Sequence, residues 1–270
     1  KNNVYCTYCI QNVCTIVWSL KRLKGYFCLK VMNDYYIYVS IFGLLFNFSD
    51  SIPPTIESLL LGLYLCLIPV GGIFWWMDTH NNWWTNSKIA QRQEILSTGE
   101  LIPQIFVNNI VLVTTALMLN QFSKRGIGDN INTQLDSMLI DFFVIYFIYD
   151  GVFYFGHRII HHPRLYALIH KKHHTTFAGI ALSTHYMTIA DFFIEIIFPF
   201  WIAAFVWNSC FISTMAFLVI GQINGLVTHS GYNLPGLPPP DAHYDHHTRI
   251  VCNFGVGGIW DYVFDTHSKN

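Results

Sequence analysis

Apolar runs of membrane-spanning length constrain this chain more than any other feature of its sequence. Residues 55–77, 101–120 and 135–156 are each long and apolar with few charges. A helix rising about 1.5 Å per residue needs about 20 residues to cross a hydrocarbon core of about 30 Å. A further run at 31–48 carries Asn33 and Asp34 near its start and reaches spanning length when begun near residue 25. Residues 191–226 form a longer apolar block interrupted by Pro199 and Asn208-Ser209. In hydrocarbon, backbone polar groups must bond within their own segment, so spans of this kind are helices. Composition agrees, with 53% hydrophobic and 11% charged residues, against about 25% charged in soluble domains. The expected fold is all-α: a polytopic membrane bundle of four spans plus a re-entrant or spanning hairpin, with a histidine-rich metal cap facing the cytoplasm. A net charge of -1 gives nucleic acid no electrostatic footprint, and no nucleic-acid partner is expected.

The chain divides at about residue 134. Residues 1–134 are expected to hold N-terminal spans and loops, and residues 135–270 the catalytic domain. Within the first part, residues 4–20 are apolar but broken by Gln11 and Asn12. The Cys6-x-x-Cys9 pair has no second pair or nearby His to complete a zinc site, so it reads as packing. Trp75, Trp76, Trp83 and Trp84 resemble an interfacial belt. Lys21, Arg22, Lys24, Lys30, Lys88 and Arg92 put their loops in the cytoplasm by the positive-inside rule, while Lys124 and Arg125 argue weakly the other way. The sequon at Asn47 hugs the membrane and is expected to stay unused. Lys1 stands where a Met would begin a complete chain, so a piece of a longer protein is expected, without a signal-peptide pattern.

Histidine supplies the second constraint. Three short segments read His157-Arg-Ile-Ile-His161-His162, His170-Lys-Lys-His173-His174 and His243-Tyr-Asp-His246-His247. Positions i, i+3 and i+4 share a helix face. Each of the last two segments is therefore expected to aim three imidazoles at a common point, and His157 with His161 adds a pair. Eight or so converging imidazoles exceed the four ligands of tetrahedral zinc and suit two ions of higher coordination number. Imidazole holds first-row metals such as iron while leaving positions open to oxygen. A metal pair where apolar helices meet the cytoplasm suits oxidation of an unactivated C–H bond on a lipid.

These three segments resemble the fatty acid hydroxylase/sterol desaturase superfamily in order and spacing, over roughly residues 136–267. His229-Ser-Gly-Tyr232 ahead of a Pro-rich stretch extends the likeness, as does Trp260-Asp-Tyr-Val-Phe-Asp-Thr266. The segment from His229 to Pro240 is most similar to methylsterol monooxygenases and fatty acid hydroxylase domain-containing proteins. The resemblance implies a non-haem diiron centre, O2 as co-substrate, and electrons from NAD(P)H through a separate reductase or cytochrome b5. Gly255-Val-Gly-Gly258 is no nucleotide fingerprint, in keeping with an external reductant.

Carried onto this chain, the resemblance implies His157, His161, His170, His173, His174, His243, His246 and His247 as ligands. His162 competes with His161, and His229 is a further ligand or orients one. His185 is either a ligand or stands beside one, while Asp245, with Asp241, is expected beside ligands rather than on the metal. Asp150, seven residues before His157, is the expected site carboxylate, accepting an imidazole N–H. An ionisable residue inside a span is expensive and usually functional. The chain departs from relatives at Tyr186, where Pro is common, at Gly225, where some carry His, and at Asp265, where Gly is common.

The expected activity is hydroxylation or oxidation of a lipid, foremost a C-4 methylsterol, in the endoplasmic reticulum membrane. Acyl or sphingoid hydroxylation and sterol desaturation are the enzymatic alternatives. A silent scaffold holding structural zinc is the alternative from another class.

Overall fold

The computed structural model describes residues 55–80, 87–89, 94–122 and 135–269. The expected runs at 4–20 and 31–48, the Cys6/Cys9 pair and the sequon lie outside the described residues. So do Trp83, Trp84, Lys124 and Arg125.

Five helices are long and apolar enough to cross a membrane. We label them α1 (Ile56–His80), α2 (Thr98–Phe122), α3 (Leu135–Ile160), α4 (Ile189–Val206) and α5 (Phe211–Ser230). The first begins with a reciprocal cap. Ser58 N–H donates to Thr55 Oγ1 at 3.2 Å, and Thr55 N–H donates to Ser58 Oγ at 3.1 Å. A Ser-x-x-Glu box opens α2, with Ser97 N–H donating to Glu100 Oε2 at 2.8 Å. Pro69 lies inside α1 without ending it, as membrane helices tolerate. Among the described residues there is no strand ladder, only an isolated antiparallel bridge between Lys88 and Tyr232. The expected all-α class holds.

Leu63 of α1, Ala116 of α2, Ile145 of α3, Trp201 of α4 and Ala216 of α5 belong to one buried core. Helices on both sides of residue 134 therefore pack together. Leu61, Leu65, Ile68, Phe106, Ile110 and Phe147 point away from it and are exposed. Helices apolar on both faces suit a lipid surround rather than water.

The apolar block at 191–226 folds as a helical hairpin, as expected. Its turn is fastened by Asp141 on α3, which accepts Trp207 Nε1–H and Cys210 N–H, both at 2.8 Å. Ser213 Oγ donates to Met138 O at 2.9 Å beside it. Because the hairpin returns, Asp191 near the start of α4 and His229 near the end of α5 lie at the same end of the bundle. The last turn of α3 brings His157 to that end as well. The intervening residues 161–188 are single turns, including Pro163–Tyr166 and a 3-10 turn His173–Thr175. Two short helices, α6 (Asp241–Arg249) and α7 (Ile259–Val263), complete the cap. The N-terminal part clamps it: Glu94 accepts N–H from Phe177 at 2.9 Å and from Gly179 at 2.7 Å.

Asp141→Ala leaves the buried Cys210 N–H and the part-buried Trp207 Nε1–H at the hairpin turn without an acceptor. It is expected to lower stability by about 1–3 kcal/mol, read as a lower thermal midpoint in detergent. An unchanged midpoint would mean that the carboxylate does not hold the turn.

Candidate metal centre

The histidines form two groups. His157, His161, His170, His174 and His246 bring ligand-capable nitrogens within 4.8 Å of one another, and His173, His229, His243 and His247 do the same. The groups abut, with the His174 and His247 rings 4.5 Å apart by centroid.

The expectation that each His-x-x-His-His segment converges on one point is corrected. His170 and His174 join the first group, and His173 joins the second. His243 and His247 join the second, and His246 joins the first. Along α6, which carries the second segment, helix geometry gives the reason. Residues i and i+4 are offset by about 40°, while i+3 and i+4 diverge by about 100°. That segment therefore straddles the seam between the groups, and the turns at His170–His174 do the same.

The rings are aimed from behind. His157 Nδ1 donates to Phe254 O at 2.7 Å, His246 Nδ1 to Cys252 O at 2.7 Å, and His247 Nδ1 to Thr176 O at 2.9 Å. His170 Nδ1 donates to Asp191, 2.9 and 2.8 Å from its two oxygens. A carbonyl or carboxylate oxygen only accepts, so the proton sits on Nδ1 and Nε2 keeps its lone pair. Yet His157 Nε2 and His170 Nε2 are 3.1 Å apart, and His174 Nε2 is 3.0 Å from His170 Nε2. In the second group His243 Nε2 lies 2.7 Å from His229 Nε2 and 3.1 Å from His247 Nε2. The Nε2 atoms of His157 and His170 are both lone-pair acceptors with no proton between them. Buried His246 Nε2 has no hydrogen-bond partner among the described residues. A cation in each group turns these contacts from repulsive to attractive. Metal–nitrogen bonds of about 2.1 Å separate neighbouring ligands by about 3.0 Å at octahedral corners and about 3.4 Å at tetrahedral ones. The spacings of 3.0 to 3.1 Å lie nearer the former, and the 2.7 Å between His243 and His229 is shorter than either.

Extra protons do not offer a substitute. Burial pushes His161 down to about 2, His173 to about 3 and His246 to about 4. His170, His174, His243 and His247 are held well below the ordinary imidazole value, by burial first and neighbouring imidazoles next. The site is thus a set of neutral ligands, as metal binding requires.

Other expected residues stand elsewhere. His162 is exposed and caps the Pro163–Tyr166 turn, accepting Arg164 N–H at 3.4 Å. His161 continues from α3 into the first group, so the choice between the neighbours falls to His161. His229 joins the second group, with Nδ1 3.0 Å from Ser183 Oγ. His185 joins neither group; its Nε2 bonds Gln222 Oε1 at 2.6 Å. Asp245 faces Arg249 at 3.6 Å on the surface of α6, and Asp241 is exposed in its first turn. Asp150 stands beside the loop after α6. Two helical turns, about 10 Å, separate it from His157, and its Oδ1 accepts Gly257 N–H at 2.8 Å. It fastens the loop after α6, as does Asp261, which accepts Phe254 N–H at 2.8 Å and Gly255 N–H at 2.7 Å. A Cβ at Gly257 would run into Tyr146 Oη. That loop carries the carbonyls that orient His157 and His246.

The carboxylate on an imidazole is Asp191, missed from the sequence. Its signal was present: Thr188-x-x-Asp191 opens an apolar run as a helix cap does. Thr188 Oγ1 accepts Asp191 N–H at 3.2 Å and donates to Ile169 O at 2.8 Å, joining α4 to the His170 segment. Glu195, also missed, brings Oε1 to 3.3 Å from His157 Nε2.

Residues 142–266 match the fatty acid hydroxylase family. This segment belongs to the fatty acid hydroxylase/sterol desaturase superfamily. The chain is 31% identical over 128 residues to human (Homo sapiens) fatty acid hydroxylase domain-containing protein 2, covering 47% of this chain and 38% of that protein. It is 30% identical over 172 residues to fatty acid hydroxylase ahd1 of Mycosarcoma maydis, covering 62% and 45%. It is 32% identical over 131 residues to methylsterol monooxygenase 1 of Danio rerio, covering 45% of each. The chain thus spans less than half the length of these three relatives. No solved structure matches it significantly. Every member of both histidine groups falls inside the superfamily segment, and α1 and α2 lie before it.

Asp191→Asn removes the charge behind His170 and is expected to weaken metal binding about 10–100-fold, measured by competition with a chromophoric chelator. The metal-free protein should also lose stability on acidification. Below about 6.5 the unfolded chain takes up protons, while folded His246 and His173 resist them down to about 4 and about 3. Stability is therefore full above about 6.5 and falls through this window, as thermal melts across pH would register. A flat profile would contradict the buried neutral site.

Proposed function

We propose that this chain is a membrane-embedded oxygenase that oxidises an unactivated C–H bond of a lipid. Two iron ions would be held, one by His157, His161, His170, His174 and His246, the other by His173, His229, His243 and His247. The observation that carries the reading is the pairing of lone-pair-bearing imidazoles into two abutting groups at the end of an apolar bundle. When bound, iron supplies the activation of O2 that a C–H bond of this strength requires.

The protein's own residues have four tasks. Carbonyls of Phe254, Cys252 and Thr176 hold rings at fixed tautomer and angle. Asp191 holds His170 and offsets part of the ionic charge. Burial of His170, His246 and His247 excludes bulk water, which protects reactive species from side reactions. The apolar faces of α1 to α5 let a lipid reach the cap from the bilayer. Hydroxylation or desaturation follows from which hydrogen of the substrate lies next to the reacting carbon.

A C-4 methylsterol is our foremost substrate, supported by the His229–Pro240 segment and by relatives named methylsterol monooxygenase. An acyl chain is the second reading, favoured by the relative named fatty acid hydroxylase that aligns over 172 residues. Electrons would come from NAD(P)H through a separate reductase or cytochrome b5. Arg158, Arg164, Lys171 and Lys172 lie in or beside the cap and support its cytoplasmic orientation in the endoplasmic reticulum.

Expression in a yeast lacking sterol C-4 oxidase, with iron counted per chain, tests this. Two irons with restored growth are expected for the sterol reading. Two irons with an oxidised acyl lipid instead would move the substrate to acyl chains. Zinc that iron cannot replace, with no lipid oxidised, would overturn the enzyme in favour of a scaffold. His173→Ala and His246→Ala, one from each group, are each expected to abolish turnover while membrane insertion is retained. Full activity in either would refute the assignment.

A further inference from the structure

Glu195 is a buried acid that the arrangement so far leaves unused. It sits in α4, an apolar helix of spanning length, and is 3% exposed. The helix widens there into a π turn over Phe193–Ile197, a local insertion frequent at functional sites. Gly156 on α3 makes the close approach possible: a Cβ there would lie 3.2 Å from Ile194 Cγ2 and 3.5 Å from Ile194 O. Tyr149 Oη donates to Glu195 O at 3.2 Å and braces the same turn.

Its Oε1 is buried without a hydrogen-bond donor. It lies 3.3 Å from His157 Nε2 and 3.5 Å from His170 Nδ1. Neither nitrogen serves it. His157 carries its proton on Nδ1, directed to Phe254 O, and the His170 Nδ1 proton is directed to Asp191. When ionised, this oxygen faces a lone pair across 3.3 Å, and among the described residues no Lys or Arg pairs with it. An isolated carboxylate in such surroundings is costly unless a cation is near. The second group differs. His173, His229, His243 and His247 bond Tyr186 O, Ser183 Oγ, one another and Thr176 O, and among the described residues no carboxylate pairs with them.

We propose that Glu195 supplies a carboxylate ligand to the ion of the five-imidazole group, so that the two metal positions differ in charge. One position carries Glu195 and, through His170, Asp191. The other is purely imidazole. The inference rests on the reading that both groups hold metal.

Cobalt(II) titration of the metal-free chain in detergent, followed by its visible absorption, tests both. The unaltered chain is expected to bind two Co2+ with two distinguishable spectra. Fewer than two would fail the underlying metal reading, not the role of Glu195 alone. Glu195→Gln is expected to weaken one of the two ions about 10–100-fold and alter only its bands. Ser183→Ala, which acts on His229, is expected to perturb the other ion. Glu195→Asp keeps the charge and withdraws the oxygen by one methylene. It is expected to show the same selective change as Glu195→Gln, and serves where the amide is not tolerated in the fold. Two ions bound by a folded Glu195 variant with unaltered affinities and bands would overturn the proposal.

Discussion

The structure depends on protons being kept on the outer nitrogens of its histidines. Where a carbonyl or carboxylate sits behind Nδ1, Nε2 must face inward with its lone pair, and a shell of such rings suits a positive charge. The anchoring oxygens of Phe254 and Cys252, of Thr176 and of Asp191 come from three different segments. Little of the cap can shift without turning at least one ring. This explains why buried acids bonded to the loop backbone also matter. Asp150 and Asp261 fix the loop whose carbonyls do the aiming.

The membrane bundle serves the same end. A helical hairpin returns to the side from which it left, so α4 and α5 present Asp191 and His229 together. The turn at the far end is closed by Asp141, and the apolar core runs through all five long helices. Outside the superfamily segment, the stretch between α1 and α2 lays Glu94 on the backbone after His174 and pairs Lys88 with Tyr232 after His229. The α1–α2 connection thus braces both histidine loops.

Much of this was legible in the sequence, because apolar length and imidazole spacing are strong local signals. The three runs at 55–77, 101–120 and 135–156 became α1 to α3, and the block at 191–226 became a hairpin. Nine of the expected histidines came together. What was not legible was tertiary. A shared helix face did not reveal that His173 and His246 belong to the opposite group from their neighbours, since that depends on where the second group lies. His162 and His161 differ only in which side of the α3 terminus they leave. Asp150 looked correct by heptad spacing, but depth along the helix put it beside a glycine loop. Asp191 and Glu195 were concealed in an apolar run, where their partners lie 21 and 38 residues earlier in the chain, at His170 and His157.

The division of each histidine segment between both groups has a consequence for biogenesis. Neither group is complete until α6 exists, because His246 closes one and His243 with His247 closes the other. A nascent chain that has already inserted α1 to α5 still lacks a finished pocket for either ion. On the proposed reading that both groups hold metal, its capture is thereby deferred until synthesis has passed residue 247.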